Sequence, residues 1–317
     1  PPVPTPIAPQ HMADMVDPPY GTQHATGRER LLDIGPVWAT DVQGHREMVF
    51  AAYAPLLARA PKAGNEIVRD LAYGAHPRQV LDAYRPAGRT GLPVVLFVHG
   101  GAFVRGEKDS TPDIYANVCH YFARHGHLAL NVEYRLADEA PYPGGAQDIA
   151  ASVAWARAHA REHGGDPERM VLVGHSAGGT HVASYAFDPA LHGDLSGVRG
   201  LILVSARLRA DVRADNPNAH GVRAYFGTDA STYDARSPNT HAAASKLPVQ
   251  IAVAEYENPW LDVYGMELAY RLGAARGQAP EYLRLDCHNH ISIIAHLNTG
   301  EDALGSAMRR FIARHTR

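Results

Sequence analysis

The sequence predicts an α/β protein with a mostly parallel central sheet, helices on both faces and an antiparallel hairpin at one edge. From about residue 65, short apolar runs alternate with longer amphipathic stretches, a pattern typical of parallel strands joined by crossover helices. The runs are apolar at nearly every position, as in strands that helices cover on both sides. They occupy residues 94–98, 128–132, 170–173, 201–204, 249–254 and 282–285.

Local patterns predict the elements around these strands. Alternate positions over 67–73 are occupied by Ile67, Arg69, Leu71 and Tyr73, and a second short run at 80–84 follows after Gly74 and Pro77. The two segments should form the edge hairpin. Apolar residues at helical spacing predict a crossover helix that Gly164 and Gly165 should end. These apolar positions are Ile149, Val153, Ala156 and Ala160.

The domain organisation follows from changes in composition. We expect a flexible proline-rich arm at residues 1–22 and a single domain at residues 23–317. Helical spacing over about 41–60 predicts a helix ahead of the sheet, ended by Pro61 and Gly64. Residues of about 206–240 carry Arg, Asp, Asn, Pro and Tyr without a long regular period, which indicates a small inserted cap or long loop.

Charge and hydropathy exclude several classes of protein. The 317 residues have a formal net charge of -3 and no Lys and Arg run long enough to bind phosphates, which argues against a nucleic-acid partner. No apolar stretch approaches the ~20 residues that cross a bilayer, so we expect a soluble protein with no membrane span. Residues 1–9 lack the features of an intact signal peptide, which favours a cytoplasmic location. Cys119 and Cys287 should be free thiols.

One serine motif points to nucleophilic chemistry. The segment G-H-S-A-G-G at 174–179 directly follows the apolar run 170–173 and precedes a helical stretch. In a G-x-S-x-G turn between a strand and a helix the serine is strained, and small flanking residues let the chain pass closely. The bare motif is common in Gly-rich turns, but the strand and helix stand in the required order. Ser176 is therefore the predicted nucleophile.

A second motif suits the stabilisation of negative charge. The run 94–98 ends in H-G-G-A-F at 99–103, which alone would read as an ordinary turn. Acyl transfer develops charge on a carbonyl oxygen, and each preorganised backbone amide contributes about 3 to 4 kcal/mol to its stabilisation. We predict an oxyanion hole formed by the amides of Gly100, Gly101 and Ala177. His99 belongs to this motif and is predicted to tie down the loop.

A serine nucleophile of this kind works with a histidine base and an acidic residue. In chain order these three residues are Ser, then Asp or Glu, then His, so the acid and the base should follow Ser176 at the ends of later strands. The run 249–254 leads into E-Y-E-N-P-W, and Glu257 at the turn is the predicted acid. Glu255 is the rival, and Asp262 in the following helix is a weaker candidate. The run 282–285 is followed by D-C-H-N-H, and this place after the last strand selects His290 as the general base.

The pair His288 and His290 has the H-x-H spacing of some metal sites. A metal site is not expected there, because the nearby sequence has no second carboxylate or cysteine cluster with ligand spacing. We therefore expect neither a metal nor a cofactor. The composition is compatible with a homo-oligomer.

Taken in order, these motifs resemble the hormone-sensitive-lipase-like and arylformamidase-like esterases of the α/β-hydrolase superfamily. The resemblance runs from about residue 65 to the C-terminus and includes H-G-G-A-F at 99–103, E-Y-R-L-A at 133–137, the turn at 174–178 and the turn at His290. It implies the α/β-hydrolase fold. The family usually places Asp followed closely by Pro at the acid position, whereas Glu257 is followed by Asn258 and Pro259.

The residues and the resemblance together predict serine-dependent hydrolysis of a small-molecule carboxylic ester through an acyl-enzyme. Phe103, Trp260 and Ile291 adjoin the motifs and are candidates for substrate binding, although each would serve equally well in core packing. One alternative is hydrolysis of an aryl formamide by the same triad. The other is a catalytically silent binding protein on the same fold, which usually lacks a triad residue.

Overall fold

A single eight-stranded sheet forms the centre of the computed structural model, which describes residues 31–109 and 113–317. The strand order is β1-β2-β4-β3-β5-β6-β7-β8. The predicted arm at residues 1–22 lies outside the described residues. The strands are β1 (Asn65–Ala72), β2 (Val80–Pro86), β3 (Leu92–Val98), β4 (Leu128–Val132), β5 (Gly165–His175), β6 (Val198–Val204), β7 (Val249–Tyr256) and β8 (Glu281–Asn289).

The pairing of the strands confirms the predicted sheet. β1 and β2 form the antiparallel hairpin at one edge, and β2 also runs antiparallel to β4. Every other neighbouring pair, from β4 through β3 and β5 to β8, is parallel. In a parallel sheet the carboxyl ends of the strands meet at one edge, where ligands usually bind. The loops after β3, β5, β7 and β8 therefore lie close together.

Helices cover both faces of this sheet, as expected for strands that are apolar on both sides. The helices that follow residue 41 are α1 (Val42–Arg59), α2 (Ile114–Arg124), α3 (Gly144–His159), α4 (Ala177–Phe187), α5 (Ala219–Phe226), α6 (Tyr233–Arg236), α7 (Pro238–His241), α8 (Leu261–Arg276), α9 (Ser292–Ala295) and α10 (Ala303–His315). Leu96 of β3 contributes to a core with α3, α4 and α8, whereas its neighbour Phe97 points into a second core with α1, α2 and α10.

The segment between β6 and β7 contains the short helices α5 to α7 and packs on the loop after β3. Phe103 stacks on Tyr225 with 4.8 Å between ring centroids and meets Phe226 edge to face. At Gly221 a Cβ atom would lie only 2.1 Å from the Ala102 carbonyl oxygen, so glycine permits this close approach. The region for which the sequence predicts a cap is thus anchored to the predicted oxyanion loop by an aromatic cluster.

Two further sequence expectations concern helices and thiols. Gly164, with φ of 82°, follows the turn Ala160–His163 at the end of α3, which explains why that helix stops where the sequence indicates. Cys119 is buried in α2, Cys287 is partly exposed in β8, and the two do not form a disulfide with each other. Among the described residues, no helix is both long and apolar enough to cross a membrane.

Several buried histidines are held in the neutral state. Burial lowers the pKa of His175 and His181 to about 3 and that of His296 to about 4. His181 packs edge-on against the rings of Phe103 and Tyr134. Within the described residues, neither of its ring nitrogens has a hydrogen-bond partner. An imidazolium ion at this position would lose its hydration without compensation.

We expect the free energy of unfolding to decrease as the pH falls from about 6.5 towards 4. The unfolded chain binds protons in this window and the buried imidazoles do not, so each contributes up to about 1.4 kcal/mol per pH unit. Urea unfolding at a series of pH values measures the slope. A His181→Leu variant should show a slope smaller by about one proton, and an unchanged slope would contradict a neutral, buried His181.

Candidate active site

Ser176 occupies a strained turn at the carboxyl edge of the sheet. β5 ends at His175 and α4 begins at Ala177, which leaves Ser176 between them with φ of 55° and ψ of -120°. A Cβ atom on Gly174 would lie 2.6 Å from the Gly179 Cα, and one on Gly178 only 2.3 Å from the Val98 carbonyl oxygen. Side chains at these positions would clash with backbone, so the glycines allow the turn to form.

A histidine and a glutamate extend from Ser176 in a line of hydrogen bonds. His290 Nε2 lies 3.0 Å from Ser176 Oγ, and His290 Nδ1 lies 2.8 Å from Glu257 Oε2. His290 follows β8 and Glu257 follows β7, so strand ends supply both groups. Their side chains are only 6% and 3% exposed, which strengthens the interaction between them.

The structure distinguishes the candidate acids by the direction of their side chains. Glu257 Oε1 accepts hydrogen bonds from the Ala254 amide, at 2.9 Å, and from the Ser205 hydroxyl. These donors stabilise the carboxylate and aim its other oxygen at His290. Glu255 instead accepts from the Cys287 amide at 2.7 Å and pairs with Arg284. Asp262 lies in the first turn of α8. The structure therefore brings Glu257 to His290.

Backbone contacts hold the loop that carries His290. Its amide donates to the Tyr256 carbonyl at 3.1 Å, and its own carbonyl lies 3.0 Å from His175 Nε2. The residue that precedes Ser176 thus also holds the histidine loop. Because burial lowers the pKa of His175 to about 3, this imidazole stays neutral and can donate a single Nε2 proton to that carbonyl.

The loop after β3 is tied down by His99. Its Nδ1 lies 2.7 Å from the Gly100 carbonyl oxygen and its Nε2 lies 2.9 Å from Glu133 Oε1. Glu133 also accepts from Arg78 and, at 2.8 Å, from the Lys108 amide. Burial alone would raise the pKa of Glu133, but His99, Arg78 and these hydrogen bonds lower it below its usual range. The E-Y-R-L-A motif thus supplies the anchor for the H-G-G-A-F loop.

The three predicted amide donors differ in their surroundings. The Gly100 amide donates to Tyr115 Oη at 3.2 Å, and the same hydroxyl lies 3.3 Å from His175 Nδ1. Ala177 is the first residue of α4, where an amide has no acceptor within its own helix. Gly101, with φ of 152°, lies on the cavity wall beside Ser176. The structure thus brings Gly100, Gly101 and Ala177 close to Ser176. The Gly100 amide, however, already donates its hydrogen bond to Tyr115.

A cavity of about 210 Å³ opens at Ser176. Its apolar walls include Trp38, Phe50, Ile291 and Ile294, and its polar walls include two arginines, Arg46 and Arg105. Helix α1 thus covers the site from one side, and the loops after β3 and β8 complete it. The concave, partly open shape and the mixed lining suit a small organic molecule.

The structure separates the three residues proposed for substrate binding. Ile291 lines the cavity next to His290. Phe103 does not line the cavity, because its buried ring packs against Tyr225 and Phe226 of α5. Trp260 lies at the surface, 37% exposed, where its Nε1 donates to Asp215. Only Ile291 is therefore positioned to contact a ligand at Ser176.

The H-x-H pair divides between two networks. His290 faces Ser176, whereas His288 Nε2 lies 2.6 Å from Glu301 and His288 Nδ1 3.0 Å from Ser292 Oγ. The donor atoms of His288, His296 and Glu301 lie within 4.8 Å of one another, a set of ligands that could hold a metal ion. The sequence did not reveal this set, because Glu301 lies 13 residues beyond His288.

Other groups at the site carried no sequence signal. Tyr115, Arg46 and Arg105 all line the cavity, but none belongs to a recognisable motif. Tyr115 and Arg46 belong to helices that pack against the sheet from remote parts of the chain. Burial raises the pKa of Tyr115 to about 12, so its hydroxyl is protonated at neutral pH.

Comparison with known proteins gives similarities to esterases. A family model described as BD-FAE matches residues 81–190. The chain is 37% identical over 121 residues to the probable isoprenylcysteine alpha-carbonyl methylesterase ICMEL1 of Oryza sativa. That alignment covers 38% of this chain and 27% of the relative. It is 43% identical over 94 residues to carboxylesterase NlhH of Mycobacterium tuberculosis, which covers 30% and 28%. The chain spans less than a third of the length of these relatives.

A solved structure extends the similarity to most of the chain. The bacterial heroin esterase superposes with a TM-score of 0.68 and 25% sequence identity. The alignment covers 88% of this chain and 93% of that protein. The similarity therefore includes the sheet and the helices on both of its faces.

We expect Glu133→Gln to destabilise the protein by about 2 to 4 kcal/mol, because the variant leaves His99 and Arg78 without their buried carboxylate. Urea unfolding measures this change. Glu139→Gln, at a half-exposed glutamate paired with His76, serves as the control and should unfold at the same urea concentration as the parent protein. Equal midpoints for the two variants would show that Glu133 does not anchor the loop.

Proposed function

We propose that this chain, which has the α/β-hydrolase fold and is similar to serine esterases of that superfamily, is a carboxylic-ester hydrolase whose nucleophile is Ser176. The observation that carries this proposal is the line of hydrogen bonds from Ser176 through His290 to Glu257. The likeness to a heroin esterase over most of the chain supports it. A partly exposed serine beside a buried imidazole and a buried carboxylate, at these distances, forms the arrangement that acyl transfer requires.

The reaction proceeds in two steps. Ser176 Oγ attacks the ester carbonyl carbon while His290 Nε2 accepts the hydroxyl proton. The bond to the alcohol oxygen then breaks, and His290 returns the proton to the departing alcohol. In the second step a water molecule loses a proton to His290 and attacks the acyl carbon. The bond between that carbon and Ser176 Oγ then breaks, the acid leaves, and His290 returns the proton to Ser176 Oγ. Glu257 orients the imidazole and stabilises its charged form in both steps.

Backbone amides stabilise the oxygen that becomes negative in these steps. The Ala177 amide at the start of α4 and the Gly101 amide in the loop after β3 are the donors that the geometry favours. The Gly100 amide can join them only by exchanging its bond to Tyr115 for one to the substrate oxygen. In this proposal Tyr115 positions the loop in the free enzyme.

We expect 4-nitrophenyl acetate to give a burst of nitrophenolate stoichiometric with the enzyme, followed by steady turnover. Ser176→Ala should abolish the burst and lower turnover at least about 10⁴-fold, because no acyl-enzyme forms. Ser306→Ala, at a surface serine of α10, is the matched control and should retain the full burst. Persistence of the burst in Ser176→Ala would refute the proposal. An aryl formamide assayed in parallel measures amide hydrolysis by the same serine.

The two glutamates near β7 allow a matched test of the acid. Glu257→Gln should lower kcat by about 10³- to 10⁴-fold, because the imidazole loses the partner that holds its tautomer. Glu255→Gln removes a carboxylate only two residues away that faces Arg284 and should cost no more than a few-fold. Steady-state kinetics with 4-nitrophenyl acetate compare the two. The reverse order of effects would assign the role to Glu255.

A further inference from the structure

Two arginines from separate parts of the chain meet in the cavity of Ser176. Arg46 belongs to α1, and Arg105 belongs to the loop after β3. Burial lowers the pKa of Arg105, and repulsion by Arg46 lowers it further. Both arginines also act electrostatically on Tyr115, which lies on the same wall. The fold therefore concentrates positive charge beside the proposed nucleophile.

This charge has no counter-ion within the described part of the chain. There, no carboxylate comes within ion-pair distance of Arg46 or Arg105, and the Nε atom of each is buried without an acceptor. Arg105 Nη2 donates to Asn218 Oδ1 at 3.2 Å, and the Arg46 guanidinium lies 5.5 Å from the centre of the Phe50 ring. Both contacts place a cation against a neutral group.

Several other partly or fully buried arginines have carboxylate partners. Arg135 pairs with Asp148 at 2.6 Å, and Arg78 pairs with Glu133. Arg207 is almost fully buried and pairs with Asp211. Bringing a cation out of water is costly unless an anion lies beside it. Arg276, outside the cavity, also lacks a carboxylate partner among the described residues, but Arg46 and Arg105 lie together in a cavity, where a ligand can supply the anion.

The geometry of the guanidinium group indicates which anion fits. Its N–H groups form a planar fork that matches the two oxygens of a carboxylate. The apolar part of the cavity wall, which includes Trp38, Phe50 and Ile294, would pack against a hydrocarbon or aromatic body. A cavity of about 210 Å³ accommodates a small molecule with one charged end.

We propose that the substrate is an ester that also carries a free carboxylate, and that Arg46 and Arg105 bind this carboxylate while Ser176 attacks the ester group. The inference rests on the proposed esterase activity and narrows its substrate class. The carboxylate belongs either to the acyl chain or to the leaving alcohol, and the two arrangements are separated by the choice of substrate. In both, the arginines favour the charged ester over a neutral ester of the same shape.

The experiment compares charged and neutral esters of matched size. For the acyl side, mono-4-nitrophenyl adipate is compared with 4-nitrophenyl hexanoate, which has the same number of acyl carbons. For the alcohol side, 4-acetoxybenzoate is compared with 4-acetoxybenzamide. We expect kcat/KM of the parent enzyme to favour the charged ester at least tenfold in one of the two pairs. No preference in either pair would overturn the proposal.

Variants connect this preference to the two arginines. Arg105→Gln and Arg46→Gln should each lower the charged-to-neutral ratio of kcat/KM about tenfold or more, and Arg105→Lys should retain part of it. The control is Arg276→Gln, because Arg276 of α8 also has a buried Nε without an acceptor among the described residues but lies outside the cavity. Its ratio should equal that of the parent. If the arginines instead stabilised the reacting oxygen, both esters would lose rate equally and the ratio would stay constant, which overturns the proposal.

A binding measurement separates this inference from the proposed function. Calorimetry with the Ser176→Ala protein compares monoethyl adipate with ethyl hexanoate, and 4-acetoxybenzoate with 4-acetoxybenzamide, so no turnover is needed. We expect tighter binding of the charged ester in the pair that shows the kinetic preference, and loss of that difference in the Ser176→Ala, Arg105→Gln double variant. Equal binding of charged and neutral esters in both pairs would overturn the anion site, even where 4-nitrophenyl acetate still gives the burst. Absence of the burst would reject the esterase activity alone.

Discussion

The strained turn at Ser176 is the constraint on which the rest of the site depends. A residue with φ of 55° between a strand and a helix is stable only if the neighbouring backbone comes very close. Gly178 brings α4 against the carbonyl oxygen of Val98, the last residue of β3. This approach places the start of a helix and the loop after β3 on the same side of the serine. Amide donors and hydroxyl therefore converge as a consequence of one backbone contact.

Buried polar networks then hold the loops that this contact brings together. Glu133 anchors the loop after β3 through His99, and His175 lies against the carbonyl of His290. The Ala254 amide holds one carboxylate oxygen of Glu257, and the other oxygen contacts the imidazole of His290. Each network joins segments that are far apart in sequence, so the site is as rigid as the fold. This rigidity is what preorganised electrostatic stabilisation requires.

The negative charges near Ser176 are compensated by hydrogen bonds, whereas two positive charges are not. The carboxylates near Ser176 are satisfied, since Glu257 and Glu133 each accept several hydrogen bonds. Arg46 and Arg105 are the groups whose charge the described residues leave uncompensated in the cavity. Arg78, Arg135 and Arg207 are paired with acids, whereas in the proposed site the two arginines of the cavity are left for a ligand. Functional sites are where such departures from local satisfaction are expected.

The sequence by itself determined the α/β architecture, the edge hairpin and the strand ends at which Ser176 and His290 lie, because hydrophobic periodicity and turn residues record local burial and chain reversal. Only the tertiary structure decided that Glu257 faces the imidazole while Glu255 faces Arg284. It also decided that the Gly100 amide donates to the Tyr115 hydroxyl. Phe103 and Trp260 lie away from the cavity for the same reason, the packing of the elements around them. The tertiary structure also brought Arg46 and Arg105 together. The direction of a side chain and the distance between remote segments depend on how elements pack, and no local pattern encodes that packing.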